Sequence, residues 1–251
     1  MNRDLAVIIL AAGLGKRMKS NRAKVLHEVL GKPMVVYVVE AAIPIAGKAV
    51  IVVVGNQAEE VKREVSCRAE VMFAYQDRQM GTGHAVRCAL PHLPSRCDDV
   101  MVLCGDVPLI TTATLSALVA EHVNSSRDVT LLAVDLDQPY GYGRILFAPD
   151  GLVAGIVEEA DATQEQRTIR TINSGIYCIN RRFLEDALPR LTNNNAQGEF
   201  YLTDIVRIGY ESGRNIGAAW ALSPNEILGI NTLQDLARVE GLLKGRAADM
   251  A

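Results

Sequence analysis

The chain has 251 residues, of which 49% are hydrophobic, and a formal net charge of −3 at pH 7. This length and composition are typical of one large globular domain with a buried core, not of a disordered chain. The nearly balanced charge gives no general attraction to nucleic acid, and no apolar run predicts a membrane span or a signal peptide. The five cysteines lack disulfide or zinc-site spacing, so we expect a cytoplasmic protein.

An apolar strand at residues 5–10 runs directly into a loop of small residues, Ala11 to Gly15, followed by Arg17. Glycine lets a nucleobase or phosphate approach the backbone closely, and N–H groups at such a turn bind anions. The arginine adds a charge suited to a polyphosphate. The junction therefore predicts a nucleotide-binding loop, with an ordinary strand–helix turn as the alternative. Met18 stands where a dinucleotide-binding motif has its third glycine, and the sequence contains no P-loop motif.

Apolar strand patterns alternate with helical patterns over the first half of the chain. Strands are predicted at residues 5–10, 49–54, 71–74, 100–103 and 129–134, and helices at residues 33–42, 58–65, 83–90 and 112–124. Such runs predict a Rossmann-like, doubly wound α/β fold, which is a mostly parallel sheet with helices on both faces. Ligands of these sheets bind beyond the carboxyl ends of the strands, where the loop after residue 10 and residues 105–108 both fall.

After about residue 140 the pattern changes to shorter strands, which predict a smaller β-rich lobe. These strands are expected at residues 144–147, 152–158 and 171–179, and Asp150-Gly151 is a hairpin signal between the first two. A helix at residues 202–211, a strand at residues 216–222 and a helix at residues 232–244 follow.

Several polar positions at strand ends and turns indicate chemistry. Asp106 follows a buried strand, and its carboxylate suits Mg²⁺, with an Asx turn as the alternative. Gln76 offers both a donor and an acceptor to a base edge, just before the tight Gly81-Thr82-Gly83 turn. Lys24 either reaches phosphate oxygens or is a surface lysine. We expect His84, in the first turn of the helix predicted at residues 83–90, to pack or to cap, not to catalyse.

A set of short blocks, weak one by one, is more specific when taken together. They are Leu10-Ala11-Ala12-Gly13-x-Gly15-x-Arg17-Met18, Lys24-Val25-Leu26-His27, Gln76-x-x-Gln79-x-Gly81-Thr82-Gly83-His84-Ala85, Gly105-Asp106-Val107-Pro108-Leu109, Gly141-Tyr142-Gly143-Arg144-Ile145, Ile156-Val157-Glu158, Ile172-Asn173-Ser174-Gly175-Ile176-Tyr177, Gln197-Gly198-Glu199-Phe200-Tyr201-Leu202-Thr203-Asp204 and Gly229-Ile230-Asn231. In order and spacing, these blocks resemble the bacterial N-acetylglucosamine-1-phosphate uridyltransferases, which belong to the sugar-nucleotidyltransferase family.

The resemblance implies a Mg²⁺-dependent reaction in which UTP and N-acetylglucosamine 1-phosphate give UDP-N-acetylglucosamine and pyrophosphate. It implies that the β-rich lobe binds the sugar. By position, it assigns the phosphates and catalysis to Arg17 and Lys24, and the metal to Asp106 and Asn231. The implied nucleotide-binding residues are Leu10, Ala11, Ala12, Gly13, Gln76, Gly81, Thr82, Cys104 and Gly105. The implied sugar-binding residues are Gly143, Glu158, Asn173 and Asn231.

Three positions depart from the pattern of that family. Ala23 stands where proline is usual, so we expect a looser turn before Lys24. Cys104 replaces a frequent tyrosine, which removes a hydroxyl from the nucleotide pocket. Glu159-Ala160 stands where basic residues are expected, so the charge near the sugar or the metal should differ.

The resemblance also suggests a division of the chain and leaves alternatives open. Residues 1–228 are expected to form the nucleotidyltransferase domain, and residues 229–251 its end with a helix leading toward a β-helix domain. No hexapeptide repeat occurs in the sequence, so we expect no acetyltransferase activity, and a trimer only if such a domain is present. The chain is either a truncated form or a stand-alone enzyme. The alternatives are transfer to another sugar 1-phosphate such as glucose 1-phosphate, a dehydrogenase, and a non-catalytic nucleotide-binding regulator.

Overall fold

The structure is a computed structural model that describes residues 4–249. Residues 1–3 and 250–251, which are the two ends of the predicted domains, lie outside the described residues. The strands are β1 (Leu5–Leu10), β2 (Glu28–Val29), β3 (Lys32–Pro33), β4 (Val50–Val54), β5 (Met72–Tyr75), β6 (Asp99–Cys104), β7 (Val129–Asp135), β8 (Gly143–Phe147), β9 (Val153–Val157), β10 (Thr171–Asn180) and β11 (Ile216–Trp220). The α-helices are α1 (Met34–Ala46), α2 (Ala58–Ser66), α3 (Thr82–Ala89), α4 (Thr112–Asn124), α5 (Arg181–Ala187), α6 (Asp204–Glu211) and α7 (Leu233–Asp249).

The main sheet has the order β11-β7-β10-β6-β1-β4-β5, and of these strands only β10 runs against the others. Its strands are runs of Val, Ile and Leu because both faces are covered; every residue of β4 is fully buried. Helices α1, α2 and α4 pack on one face, and α3, α5 and α6 pack on the other. This arrangement confirms the predicted doubly wound, mostly parallel α/β fold.

Strand β10 lies antiparallel between β6 and β7, a place that the sequence pattern does not predict. Its beginning also pairs with β8, and β8 pairs with β9. The predicted β-rich lobe is therefore an extension of the main sheet. Gly175, with φ of +78°, lies where the register between β10 and β7 shifts, between Asn173 and Tyr177. The pairing of β10 with β8 places Asn173 opposite Gly143.

Besides the apolar clusters on the two faces of the sheet, a smaller apolar cluster lies where helix α7 packs beside the β2–β3 hairpin. The buried members of this cluster are Met18, Val29, Met34, Leu109, Ile230 and Val239. The Glu240 carboxylate of α7 accepts the N–H of Leu30 in the hairpin turn, with an N···O distance of 3.1 Å. The N–H of Ile230 donates to the backbone carbonyl of Asp106 at 2.9 Å. The segment before α7 is thereby held against the end of β6.

Three helices differ from the sequence prediction, and one of them, α7, continues to Asp249, past its predicted end at residue 244. Helix α1 continues through Pro44 to Ala46, past its predicted end at residue 42. Proline costs the helix one hydrogen bond, but burial of the preceding apolar face, including Val38 and Val39, holds the helix in place. Helix α5 follows β10 directly and was not predicted. Over residues 4–249, no helix has the length and apolar character that crossing a membrane requires.

Candidate active site

A cleft of about 710 Å³ opens at the carboxyl ends of β1 and β6. The two strand ends are joined there, because the N–H of Gly105 donates to the Leu10 carbonyl at 3.0 Å. This is the edge at which doubly wound sheets bind ligands. The residues that line the cleft are Leu10, Ala12, Gly13, Leu14, Gly15, Arg17, Lys24, Val25, Gln76, Gln79, Gly81, Thr82, Ala85, Cys104, Asp106, Gln197, Glu199 and Asn231. Ala11 points into the core instead.

Four polar side chains, which we call the charged corner, meet at one end of this cleft: Arg17, Lys24, Asp106 and Asn231. The Lys24 ammonium donates to Asp106 Oδ2, and to Asn231 Oδ1 at 2.6 Å. The Arg17 guanidinium donates to the same Asn231 oxygen at 2.7 Å. The corner therefore holds two cations, one carboxylate and one amide oxygen, which is a set that can bind phosphates and a hard metal ion.

The loop before Lys24 is held by a close backbone approach at Gly15 and by a bond to the Gln57 side chain. Gly15 has φ of +60°, and a Cβ there would lie 2.6 Å from Lys24 Cβ, so only glycine lets Lys24 come so close. The N–H of Ala23 donates to Gln57 Oε1 at 2.6 Å, and Ala23 itself is buried. Proline could not make this bond, because it has no N–H. The expectation of a looser turn at Ala23 is therefore wrong.

At the other end of the cleft, Gln76 is buried beside the start of α3. Its side-chain nitrogen lies 3.1 Å from the Gly81 carbonyl and 3.0 Å from His84 Nδ1. Gly81 has φ of +104°, and a Cβ there would lie 2.6 Å from the Phe200 carbonyl oxygen. The glycine is therefore required by the protein's own residues 199–202, which contact this turn.

Residues 197–202 supply cleft residues to which the sequence analysis assigns no role. Gln197 and Glu199 line the cleft, and the Thr82 hydroxyl accepts the N–H of Leu202 at 3.0 Å. The signal was present, since the block from Gln197 to Asp204 was among those that carried the resemblance. No role had been assigned within it, because from composition alone its polar beginning is an ordinary loop.

Gly143, Glu158 and Asn173, the three residues to which the resemblance assigns the sugar, form a separate group at the β8–β9–β10 extension, and we call them the sugar group for that expected role. Asn173 and Gly143 are register partners, and a Cβ on Gly143 would lie 3.4 Å from Glu158 Oε2. The Thr203 hydroxyl donates to Glu158 Oε1 at 3.1 Å. Burial raises the pKa of Glu158, and the nearby carboxylate of Asp161 raises it further. The geometry brings these three predicted residues together, whereas Asn231 lies in the charged corner.

Cys104 links the sugar group to the cleft. Its thiol donates to the Gly175 carbonyl at 3.5 Å, and the Gly175 N–H donates to Asn173 Oδ1 at 3.1 Å. Burial, together with the negative charge of Asp106, raises the pKa of the Cys104 thiol to about 12. The side chain is therefore a neutral thiol that packs between the two groups.

Glu159, which stands where the family has a basic residue, is paired with a cation inside the protein. The buried Arg144 donates to Glu159 Oε2 at 2.7 Å and also to the Tyr142 carbonyl. The N–H of Gly141 donates to the same carboxylate oxygen at 3.3 Å. The carboxylate therefore holds the turn before β8, and the Arg144 guanidinium offsets its charge.

Residues 7–195 match the family model described as the MobA-like NTP transferase domain. The chain belongs to this NTP transferase family. Its curated relatives include the bifunctional protein GlmU of Geotalea uraniireducens, 47% identical over 97% of this chain and 53% of the relative. GlmU of Thermoanaerobacter pseudethanolicus is 48% identical over 96% of this chain and 52% of the relative. The chain thus spans about half the length of these relatives.

Solved structures share the fold of this NTP transferase domain. The crystal structure of UDP-glucose pyrophosphorylase complexed with UDP-glucose matches with a TM-score of 0.76 at 15% identity, covering 98% of this chain and 100% of that one. A nucleotidyl transferase from Methanothermobacter thermautotroptrophicus matches with a TM-score of 0.67 at 20% identity, covering 96% and 97% of the two chains. At these identities the likeness shows the common fold.

Proposed function

We propose that the chain transfers a uridylyl group from UTP to N-acetylglucosamine 1-phosphate, giving UDP-N-acetylglucosamine and pyrophosphate. The observation that carries the proposal is the charged corner, which shares one cleft with the Gln76 end and adjoins the sugar group through Cys104. The Gln76 end suits the base, the charged corner suits the triphosphate, and the sugar group suits the sugar phosphate. The motif resemblance to uridyltransferases and the identity to proteins named GlmU support the same reaction.

The proposed chemistry needs positioning and charge rather than a general base. An oxygen of the sugar phosphate is anionic at neutral pH and attacks the α-phosphorus of UTP in line with the leaving group. The new bond joins that oxygen to the α-phosphorus, while the bond between the α-phosphorus and the bridging oxygen breaks and pyrophosphate leaves. Arg17 and Lys24 offset the charge that grows on the leaving group. This explains why the cleft needs no nucleophilic cysteine or catalytic histidine.

Mg²⁺ is the proposed cofactor, and Asp106 and Asn231 would hold it. Their side-chain oxygens already converge on one cation, the Lys24 ammonium, so the corner fits a positive charge. Over the described residues, no group of three or more His, Cys, Asp or Glu side chains could hold a metal. Two protein oxygens suit Mg²⁺, which commonly takes its other ligands from phosphates and water. The ion would supply further neutralisation of the triphosphate.

The sugar group suits a neutral sugar ring. Glu158 would offer carboxylate oxygens, and Asn173 would offer its side-chain amide, whose nitrogen is oriented by its bond to the Tyr177 hydroxyl at 2.7 Å; Gly143 leaves space beside the carboxylate. Glucose 1-phosphate is the alternative acceptor, because it shares the ring hydroxyls. We further propose a cytoplasmic enzyme with residues 1–228 as its nucleotidyltransferase domain. A trimer is proposed only for a form that also carries a β-helix domain.

Pyrophosphate release tests the proposal. UTP and N-acetylglucosamine 1-phosphate with Mg²⁺ should give turnover, and glucose 1-phosphate, glucosamine 1-phosphate or dTTP in place of one substrate should give much less. Turnover with UTP and glucose 1-phosphate, but not with N-acetylglucosamine 1-phosphate, would support the proposed mechanism and contradict the proposed acceptor. Nucleotide binding without turnover on any of these pairs would favour a regulator and refute the enzyme.

A further inference from the structure

His84 has no role in the chemistry above, yet it lies against the residue that would read the base. His84 is the third residue of α3 and is 8% exposed. Its Nδ1 lies 3.0 Å from Gln76 Nε2. Gln76 is itself only 3% exposed. A buried pair of this kind fixes the orientation of both side chains, because an unpaired polar atom there would be costly.

The direction of the Gln76 amide follows from its partners. The Gly81 carbonyl can only accept, so the Gln76 atom that lies 3.1 Å from it is the nitrogen. That nitrogen has two protons, and the second points to His84 Nδ1. Nδ1 must therefore accept, which places the imidazole proton on Nε2, toward Cys88 Sγ at 3.8 Å.

Both amide protons of Gln76 are thus used inside the protein. Over residues 4–249, no donor hydrogen-bonds its Oε1, and Gln76 lines the cleft. The side chain therefore presents an acceptor to a bound base. Uracil and thymine have a donor, N3–H, on the edge that a base shows to such a group, whereas N3 of cytosine is an acceptor.

We propose that His84 is a positioning residue that holds the Gln76 amide with its oxygen toward the cleft, and so selects a pyrimidine with an N3–H. This inference rests on the assignment of the Gln76 end to the base in the proposed function. It adds that selectivity depends on a side chain behind the one that contacts the base. Loss of the Nδ1 acceptor would leave one buried amide proton unpaired and leave the Gly81 carbonyl as the remaining partner of the amide nitrogen, so the amide would be held less firmly.

Calorimetric binding of UTP and CTP with Mg²⁺ tests this role on the intact chain. We expect the native protein to prefer UTP by about 100-fold, and His84→Leu to reduce the preference to about tenfold or less. His84→Asn, whose Oδ1 can replace Nδ1 as acceptor, should retain most of the preference. His92→Leu, at an exposed position after α3, is the control and should change nothing. An unchanged preference in His84→Leu, or no preference in the native protein, overturns the proposal.

A second pair of variants separates positioning from general packing. Gln76→Ala should remove the preference, and adding His84→Leu to it should change the UTP-to-CTP ratio no further. An additional loss in the double variant would mean that His84 acts elsewhere, and would overturn the proposal. Because binding is measured without turnover, an enzyme that releases no pyrophosphate would refute the proposed function and leave this test intact.

The native protein provides a measurement that does not depend on the folding of a variant. Nitrogen-15 NMR of the imidazole distinguishes the two neutral tautomers. A proton on Nε2 of His84 supports the proposal, and a proton on Nδ1 overturns it, since Gln76 Nε2 would then face a donor.

Discussion

The charged corner and the sugar group lie on either side of Cys104 and differ in how their charged side chains are paired. In the charged corner, Lys24 and Arg17 face the oxygens of Asp106 and Asn231, so each polar group has a partner of suitable sign. In the sugar group, the Glu158 carboxylate is partly buried near other carboxylates. The first arrangement attracts anions, and the second accepts hydrogen bonds from neutral groups. Two adjoining regions of opposite character therefore suit the proposed substrate, a sugar phosphate that is anionic at one end and neutral at the other.

The largest effect should come from removing the carboxylate of the charged corner. Asp106→Ala takes away the charged partner of Lys24 and one of the two proposed metal oxygens, so kcat for pyrophosphate release should fall by about 10³-fold or more. Asp137→Ala, at an exposed position paired with Arg170, is the matched control and should keep full activity. Thermal unfolding should show both variants folded. Near-native kcat in Asp106→Ala would refute the metal role.

Arg17→Ala should have the next largest effect. The guanidinium is proposed to meet charge that appears on pyrophosphate in the transition state, so kcat should fall by about 10²-fold while the KM for the sugar phosphate stays within about twofold. Arg22→Ala serves as control, since Arg22 lies in the same loop and pairs with the exposed Glu28. A rise in the KM for the sugar phosphate with kcat unchanged would mean that Arg17 acts in sugar binding and not on the leaving pyrophosphate.

The sugar group should respond in KM rather than in kcat. Thr203→Val keeps the shape of the side chain but removes the hydroxyl that donates to Glu158. We expect the KM for the sugar phosphate to rise by about tenfold, with UTP binding unchanged. Thr168→Val, which removes an exposed hydroxyl bonded to a backbone carbonyl, is the control. If UTP binding weakens equally, the sugar group and the nucleotide cleft do not act separately.

The smallest effect is on stability and depends on pH. The pKa of Glu158 is raised above its ordinary value of 4.5, so the folded protein binds this proton more tightly than the unfolded chain does. The stabilisation is complete below pH 4.5 and is lost as the pH rises through the folded-state pKa. Glu158→Gln should therefore raise the free energy of unfolding at neutral pH and leave it unchanged in acid. Denaturant unfolding over a pH series measures this, and an equal difference at every pH would contradict it.

The sequence predicted the local elements well and the long-range pairings poorly. Strands β1 and β4 and helix α4 lie within one residue of their predicted bounds, because buried apolar runs and helical periodicity are local signals. The place of β10 between β6 and β7 depends on register with distant strands. Helix α5 had a local signal that was overlooked, since the Asn180 side chain caps it by accepting the N–H of Phe183 at 3.2 Å.

In the candidate site, too, the sequence indicates local features but not the contacts between distant residues. From its residue type alone, Lys24 was a surface lysine as readily as a phosphate ligand, and only the motif resemblance favoured the second interpretation. Its contacts with Asp106 and Asn231 join residues that are 82 and 207 positions away. The neutralisation of Glu159 by Arg144 likewise requires the β8–β9 pairing, which no short pattern reveals. Residue types could indicate the chemistry, but the partners of each side chain came from the fold.

The bond between Arg17 and Asn231 closes a loop of 214 residues. Contacts between such distant positions are entropically costly to form early, whereas the β1–β4 and β4–β5 pairings need only short connections. During refolding we therefore expect the sheet to become native before the charged corner does. Recovery of catalysis would then lag behind recovery of secondary structure, and the delay would report the docking of the segment that carries Asn231.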